Sequence, residues 1–392
     1  MTAILWGSAL SPYFLKLDAV CRYAGLVAVH RPDGGSTLSN LRLLLRIKIA
    51  QRRHTIQRWP QTDPLDEYPL VPYLLTDDGK VHVDSSAIAA WLDASRPTPT
   101  PLIPDDPALA MVCCLIDEAL DEIGLYLVHH HRWVVSRGDN TAGARLAREF
   151  RSLVPFGGLM AQRFSRRQTR RLPYLFSLAP VKVQWPDDGL PVPPGSEDYP
   201  ATHARLELAW DALVDAATQA LSRQRYLLGE RFTLADAALY GQLQMNMTDP
   251  SSERRLRERS PALRRWLAAI EAGEHVGSDG TLRLHDDLRP LLQWIQDSFI
   301  PVMQANAAAY QRERAKGRKL WNEAAFERSE AEYKLQWWGA PARTVVKTFQ
   351  VRVWRDLCER ARALSAEQAD QVRRVFGALP HEWIEPESKR TT

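Results

Sequence analysis

The chain has 392 residues, 45% of them hydrophobic and 25% charged, so it can bury a large core and is neither disordered nor collagen-like. Its 51 Lys and Arg against 47 Asp and Glu give a net charge of +4, which does not by itself indicate nucleic acid or an acidic membrane as a partner. The four cysteines lack C-x-x-C spacing, and no apolar run reaches the roughly 18 to 20 residues of a spanning helix. We therefore expect a cytoplasmic protein without disulfides, a metal site or a membrane segment.

The first hundred residues alternate strand and helix signals. Short apolar runs predict strands at 3–6, 26–30, 70–75 and 80–83. The turn Asp77-Asp78-Gly79 joins the last two strands as a hairpin. Apolar spacing and capping residues predict helices at 14–24, at 38–59 and from Asp84 or Ser85 to about 97. This order, βαβ, then a helix, then ββα, predicts a small mixed sheet with helices on its faces.

Five prolines between 97 and 107 interrupt regular structure, so we predict a linker over 98–107 after an N-terminal domain of residues 1–97. The rest of the chain is predicted to be almost wholly helical, with helices at 109–133, 201–221, 235–245, 261–271, 288–314, 345–364 and 366–379. We divide it into a helical domain, 108–272, with a long insertion, 134–200, and a helical C-terminal extension, 273–392. A stretch rich in Pro, Gly and Asp predicts an exposed loop at 173–200.

Four short motifs stand in order around this linker. Ser11-Pro12-Tyr13 follows the first strand, Val71-Pro72 enters the third, Asp84-Ser85 follows the hairpin, and 228–236 precedes a helix. Together they resemble the cytosolic glutathione transferase family over about residues 1–272. The resemblance implies an α/β thioredoxin-like N-terminal domain, an all-α C-terminal domain with extra helices in this chain, and a homodimer.

Serine at an N-cap followed by proline is a favourable helix start, and such a start presents free N–H groups and a positive dipole end to an anion. The resemblance implies that the Ser11 hydroxyl donates a hydrogen bond to the glutathione sulfur and stabilises the thiolate. Tyr13 is the second candidate for this role, and Ser8 carries a further competing hydroxyl. Because serine cannot form a mixed disulfide, glutathione itself would be the nucleophile. The alternative is that Ser11 is only a cap.

The other glutathione contacts are implied by the same resemblance. A cis bond before Pro72 would turn the backbone of Val71 toward the cysteinyl unit of glutathione. The Ser85 hydroxyl and its helix N-terminus would take the γ-glutamyl carboxylate, and Asp84 would meet the amino group. The alternative is that Asp and Ser are simply common helix starters. Thr233 with Asp236 reads as a reciprocal helix cap, which is a folding element and not a site.

The first long helix of the helical domain carries candidates for the second-substrate pocket. By the resemblance these are Tyr126, His130 and Trp133, although a face that packs the domains together fits them equally well. Its carboxylates and histidines form no H-E-x-x-H pattern, so we expect no metal. Nine arginines between 137 and 171 lack interleaved aromatics and indicate a solvated or paired face and not a nucleic-acid site.

These observations predict a glutathione transferase, in which glutathione is the co-substrate and its thiolate attacks a small electrophile without a metal. Two alternatives stay open. One is a glutathione-dependent lyase or isomerase of a dedicated pathway, and the other is a non-catalytic glutathione-binding or interaction module. The large aromatic and aliphatic residues of 273–392 predict that the extension is folded.

Overall fold

The computed structural model of the protein describes residues 2–58, 63–65, 71–96, 98–154, 157–170 and 200–376. The loop predicted at 173–200 lies outside these residues except for Pro200, and so does the end of the helix predicted at 366–379. None of the helices in the described ranges has the length and apolar character needed to cross a membrane.

The N-terminal domain is built on one sheet with the strand order β2-β1-β3-β4. Its strands are β1 (Thr2–Trp6), β2 (Val27–Arg31), β3 (Tyr73–Leu75) and β4 (Val81–Val83). β1 is parallel to β2 and antiparallel to β3, and β3 is antiparallel to β4. All four strands were predicted, and Gly79, at φ +92°, supplies the turn of the predicted hairpin.

Three helices complete this domain: α1 (Pro12–Tyr23), α2 (Thr37–Arg52) and α3 (Ser85–Ser95). The prediction that α2 continues to 59 is wrong. Gln57 pairs instead with the free edge of β4, because its N–H donates to the carbonyl of Val81 (2.7 Å) and its carbonyl accepts from the N–H of Val83 (3.0 Å). A helix cannot continue through a residue whose backbone pairs with a strand. The resulting βαβαββα order is that of the expected thioredoxin-like domain.

The helical domain begins with α4 (Pro107–Ala119), which runs through a π-helical turn (Leu120–Gly124) into α5 (Leu125–His130) and a second π-helical turn (His131–Val135). The helix predicted at 109–133 is therefore present. The other helices of this domain are α6 (Ala142–Glu149) and α7 (Gly157–Arg170) in the insertion, then α8 (Pro200–Ala220), α9 (Leu234–Met245), α10 (Pro250–Arg259) and α11 (Pro261–Glu271).

The two domains meet where α1 packs on α9. A Cβ atom at Gly241 would lie 2.5 Å from the carbonyl oxygen of Pro12 and 2.8 Å from the Cβ atom of Lys16, so only glycine fits there. This backbone approach fixes the N-terminal turn of α1 against the helical domain. The apolar core is continuous across this contact, from Leu17 in α1 to Leu239 in α9.

The cap predicted at the start of α9 is confirmed. The Asp236 carboxylate accepts hydrogen bonds from the N–H (2.9 Å) and the hydroxyl (2.7 Å) of Thr233, and also from the N–H of Leu227 (2.7 Å). All of these groups are buried. The cap thus ties α9 to the turn that precedes it.

Replacing Thr233 by alanine removes the hydroxyl from this cap. We expect the free energy of unfolding to fall by about 0.5 to 2 kcal/mol, because a buried capping contact is lost. Urea unfolding measures the change, with Thr233→Ser as the control that keeps the hydroxyl. An unchanged midpoint for Thr233→Ala would show that the cap does not contribute to stability.

The C-terminal extension is folded, but the prediction that it is wholly helical is wrong. It contains α12 (Arg289–Ser298), α13 (Ile300–Ala315), α14 (Asn322–Glu327), the hairpin strands β5 (Glu332–Trp337) and β6 (Ala340–Val345), α15 (Thr348–Arg362) and α16 (Ala366–Phe376). The hairpin forms because Trp338 and Gly339, at φ +50° and +72°, make a tight turn of the kind that joins twisted strands. The single helix predicted at 288–314 is two helices, since Pro301, in the first turn of α13, cannot donate a backbone hydrogen bond.

Trypsin tests the cohesion of the extension. Five of its aromatic residues are buried in the main apolar core, namely Trp294, Phe299, Trp337, Trp354 and Phe376, and the indole N–H of Trp337 donates to the carbonyl of Ser298 (2.9 Å). We expect the Lys and Arg sites between 273 and 376 to resist limited digestion, with the fragments identified by mass spectrometry. Rapid trimming to a stable core that ends near 272 would contradict this.

Candidate functional site

The strand register brings three of the sequence motifs to one edge of the sheet. Trp6 at the end of β1 pairs with Tyr73 at the start of β3, which pairs with Val83 at the end of β4. The segments that adjoin these positions are 7–11, 71–72 and 84–85, and they therefore lie side by side. The Val71–Pro72 peptide bond is cis, as the resemblance implies.

Gly7 shows how closely two of these segments approach. A Cβ atom at this position would lie 2.7 Å from the ring of Phe14 and 3.3 Å from the Cβ atom of Val71. The loop after β1 therefore touches the segment that carries the cis bond, and any larger residue at Gly7 would separate them.

Ser11 is the N-cap of α1, with φ −90° and ψ 129°, and Pro12 occupies the first turn. The Ser11 hydroxyl makes no capping hydrogen bond, and the side chain is half-buried. Pro12 has no N–H and the N–H of Phe14 donates to the carbonyl of Ser11 (3.1 Å), so at this helix start it is the Ser11 hydroxyl that can serve a ligand. An anion placed there would meet the positive end of the helix dipole.

The two competing hydroxyls are already engaged. Tyr13 donates to the carbonyl of Asp121 (2.8 Å), and burial, reinforced by the Asp121 charge, raises the pKa of Tyr13 well above its usual value. Ser8 donates to the Glu149 carboxylate and accepts from the N–H of Leu10 (3.2 Å). Among these three hydroxyls, only that of Ser11 has no hydrogen-bond partner in the described part of the chain.

The loop that carries Ser11 is held from the helical domain. Arg132, which is buried, donates to the carbonyl of Leu10 (2.8 Å) and forms an ion pair with Asp249 (2.8 Å). Together with the Ser8 contact to Glu149, this bond fixes the loop at two points. Neither Arg132 nor Glu149 was predicted, because their partners lie more than a hundred residues away in the sequence.

The N-terminus of α3 supplies the other end of the candidate site. Asp84 adopts φ +73°, a strained conformation for a residue other than glycine that occurs preferentially at functional sites. One of its carboxylate oxygens, Oδ1, accepts from the N–H groups of Ser86 (3.1 Å) and Ala87 (3.2 Å). Ser85 is 4% exposed, and its hydroxyl has no hydrogen-bond partner among the described residues.

The second oxygen of Asp84, Oδ2, contacts two arginines. Arg58 Nε lies 2.8 Å from it and Arg352 Nη2 lies 3.3 Å from it. Burial alone would raise the pKa of Asp84, but the two guanidinium groups outweigh burial and the pKa is lowered. Both oxygens are thus occupied by groups of the protein itself.

A buried charge network joins the two domains beside this site. The Lys16 ammonium, 1% exposed, lies 2.5 Å from Asp117 Oδ1, 2.6 Å from Asp121 Oδ2 and 2.8 Å from the Ser86 hydroxyl. Burial raises the pKa of Asp117 and of Asp121, and the Lys16 charge opposes this. One feature of the sequence could have indicated this network. Lys16 stands on the apolar face of α1, next to Leu17 and four residues before Val20.

The three residues predicted for the second-substrate pocket have different neighbours. Tyr126, 4% exposed, accepts hydrogen bonds from Lys347 Nζ (2.9 Å) and Gln350 Nε2 (2.8 Å), both in the extension. His130 lies 3.6 Å from Glu207 of α8, and Trp133 packs on Phe164 of α7. The extension therefore covers Tyr126, while the other two lie within the helical domain. In the described ranges no group of three or more His, Cys, Asp or Glu is arranged to hold a metal ion.

The comparison with protein families gives one match. Residues 200–269, which span α8 to α11, match the family model "Glutathione S-transferase, C-terminal domain". The chain carries a glutathione S-transferase C-terminal domain. The model that matches these residues is that of the family that the motifs resemble. No curated protein matches the chain.

Solved structures of the same type resemble the chain. A glutathione S-transferase of Ceriporiopsis subvermispora in complex with glutathione is 17% identical, over 70% of this chain and 98% of that one, with a TM-score of 0.41. A glutathione S-transferase of Methylobacterium radiotolerans in complex with glutathione sulfonate is 20% identical, over 72% of this chain and 98% of that one, with a TM-score of 0.36. The β-etherase LigF of a Sphingobium species is 18% identical, over 69% and 96%, with a TM-score of 0.43. Likenesses of this size assign neither a ligand nor a reaction to this chain.

Proposed function

We propose that the protein binds glutathione at the sheet edge formed by Ser11, Val71–Pro72 and Asp84–Ser85, and that the glutathione thiolate attacks a small electrophile. The observation that carries the proposal is the unpartnered Ser11 hydroxyl at the N-terminus of α1, on the loop whose Gly7 touches Val71. The engaged hydroxyls of Tyr13 and Ser8 support Ser11 as the group that contacts the sulfur.

The chemistry follows from charge. A hydrogen bond from Ser11 and the helix dipole stabilise the thiolate more than the thiol, so the pKa of bound glutathione falls and more nucleophile is present near neutral pH. In a substitution, the sulfur forms a bond to carbon and the leaving group departs with the electron pair. In an addition, the sulfur also forms a bond to carbon, and the electron pair of the acceptor's π bond moves to a neighbouring atom, which then takes a proton. Neither step requires a metal.

A second candidate function is a glutathione-binding module without turnover. It is favoured by the extension, since Lys347 and Gln350 cover Tyr126 and Arg352 reaches Asp84. A glutathione-dependent lyase or isomerase that acts on one pathway compound is the remaining alternative. Turnover of a generic electrophile favours the transferase, turnover of a single compound favours the lyase or isomerase, and binding without turnover favours the module.

We expect calorimetry on the full chain to show glutathione binding. Ser85→Ala should weaken it by about 1 to 3 kcal/mol, because a hydrogen bond to a charged carboxylate is lost from a buried position. Ser39→Ala, on the half-buried side of α2, is the matched control and should leave the affinity unchanged. No heat up to millimolar glutathione, together with no retention on immobilised glutathione, would refute the proposal.

We further propose that the protein acts in the cytoplasm as a homodimer. All four cysteines are buried and none is bonded to another cysteine, which suits a reducing compartment. Light scattering on the purified chain distinguishes a monomer from a dimer.

A further inference from the structure

The γ-glutamyl end of the proposed glutathione site includes an arginine from the far end of the chain. Arg352 lies on α15 in the extension and is 2% exposed. Its guanidinium stacks over the ring of Phe349, with 4.4 Å between the guanidinium carbon and the ring centroid, and donates to Asp356 (2.9 Å). It also reaches Asp84, the residue that precedes Ser85 at the N-terminus of α3.

The two arginines at Asp84 are not equivalent. Arg58 contacts Asp84 at 2.8 Å, within the usual range for a charge-assisted hydrogen bond, whereas the Arg352 contact is longer, at 3.3 Å. If Arg352 turned toward a ligand, Asp84 would keep Arg58 as its counterion and would keep its two bonds to the first N–H groups of α3. The capping role of Asp84 therefore does not depend on Arg352.

Arg352 faces more carboxyl groups than those of Asp84 and Asp356. Glu118 and Glu122 of the neighbouring helix also face this arginine. Burial raises the pKa of both carboxyls, that of Glu122 to about 7. The Ser85 hydroxyl, buried and without a partner among the described residues, lies next to Asp84 in the chain.

We propose that Arg352 of the extension, together with Ser85, binds the α-carboxylate at the γ-glutamyl end of the ligand, and that Asp84 is a structural cap and not the acceptor of the ligand's amino group. The inference rests on the proposed glutathione site and makes the extension part of it. A guanidinium is suited to this task because its planar fork matches a carboxylate. The Asp84 carboxylate accepts from two N–H groups at the start of α3 and from Arg58, which are the contacts of a structural cap.

Calorimetry with three peptides on the full chain tests the proposal. The peptides are glutathione, an analogue without the α-carboxylate (γ-aminobutyryl-Cys-Gly) and an analogue without the amino group (glutaryl-Cys-Gly). Loss of the carboxylate should weaken binding to the unmodified protein about tenfold to a hundredfold, the usual effect of losing a hydrogen bond between charged groups. This comparison requires no variant and remains valid if a variant fails to fold.

The variants then assign the contacts. Arg352→Gln should weaken the binding of glutathione about tenfold to a hundredfold and leave the affinity for the analogue without the carboxylate unchanged. Arg355→Gln is the matched control, because Arg355 lies on the same helix but pairs with Asp63 and Asp356 and not with Asp84. Its affinity for glutathione should stay within threefold. Asp84→Asn should lower the affinity for glutathione and the affinity for the analogue without the amino group by the same factor.

Two results would overturn the inference while leaving the proposed function in place. One is that Arg352→Gln loses affinity for glutathione and for the analogue without the carboxylate by the same factor, which would make Arg352 a merely structural residue. The other is a loss in Asp84→Asn that is confined to peptides with an amino group. If none of the three peptides binds the unmodified protein, the proposed function itself fails, and this inference with it.

Discussion

Replacing Ser11 by alanine should leave glutathione bound within a few-fold of its original affinity but raise the pKa of the bound thiol by roughly one to two units. In the proposed site the peptide is held mainly at the α3 end, whereas the sulfur would lose one charge-assisted hydrogen bond of about 1.5 to 3 kcal/mol. Turnover near neutral pH should fall about tenfold to a hundredfold, because less thiolate is present. Titration of the ultraviolet absorbance of the thiolate against pH measures the shift.

Tyr13→Phe is the matched control, since it removes a hydroxyl two residues away. The Tyr13 hydroxyl already donates to the carbonyl of Asp121, so its loss should not move the thiol titration. A normal curve for Ser11→Ala beside a shifted curve for Tyr13→Phe would transfer the role to Tyr13. Ser11→Cys should add disulfide exchange, because a thiol at this helix start ionises readily.

Replacing Lys16 by methionine should produce the largest loss of stability. Asp117 and Asp121 would remain buried without their counterion, and removing one partner of a buried ion pair costs about 3 to 5 kcal/mol. The loss should be larger at pH 8 than at pH 5. A carboxyl whose pKa is higher in the folded than in the unfolded state holds extra protons when folded, so its contribution to the free energy of unfolding falls as the pH rises between the two values. Removing Lys16 raises these folded-state pKa values further.

Urea unfolding at both pH values measures this effect. Lys80→Met is the control, because Lys80 pairs with Asp78 at 2.8 Å but both side chains are exposed, and such pairs contribute only about 0 to 1 kcal/mol. Asp121→Asn in the Lys16→Met background should restore part of the loss at pH 8. An equal loss at pH 5 and pH 8 would show that the unpaired carboxylates are not its cause.

The N-terminal domain was predictable because its signals are local. A breaker-rich turn separates β1 from α1, the Asp77-Asp78-Gly79 turn closes the hairpin, and a capping residue starts α3. The end of α2 was mispredicted because a tertiary contact, Gln57 on the edge of β4, overrides the helical pattern of that segment. The β5-β6 hairpin was missed although its signal is local, since Glu332–Trp337 alternates polar and apolar residues at the period of a strand and Gly339 stands at the turn.

The candidate site likewise has a part that was predictable from the sequence and a part that was not. Ser11, Val71–Pro72 and Asp84–Ser85 each form a recognisable pair or triplet, and the sheet brings these motifs to one edge. The groups that surround these motifs form no recognisable pattern in the sequence. Lys16 contacts Asp121 across 105 residues of sequence, and Tyr126 contacts Lys347 across 221 residues. The pairing of a charge with a distant partner has no signature in sequence spacing.

The contact between Asp84 and Arg352 spans 268 residues of sequence, and this separation sets an order of events during synthesis. Domains fold largely as they leave the ribosome, at about 5 to 20 residues per second, so the N-terminal domain emerges roughly 15 to 50 seconds before α15 does. Through that interval Asp84 has Arg58 as its arginine partner and lacks the second. A nascent chain therefore carries an α3 terminus of different charge from that of the finished protein, and the two forms should differ in their preference for anionic peptides.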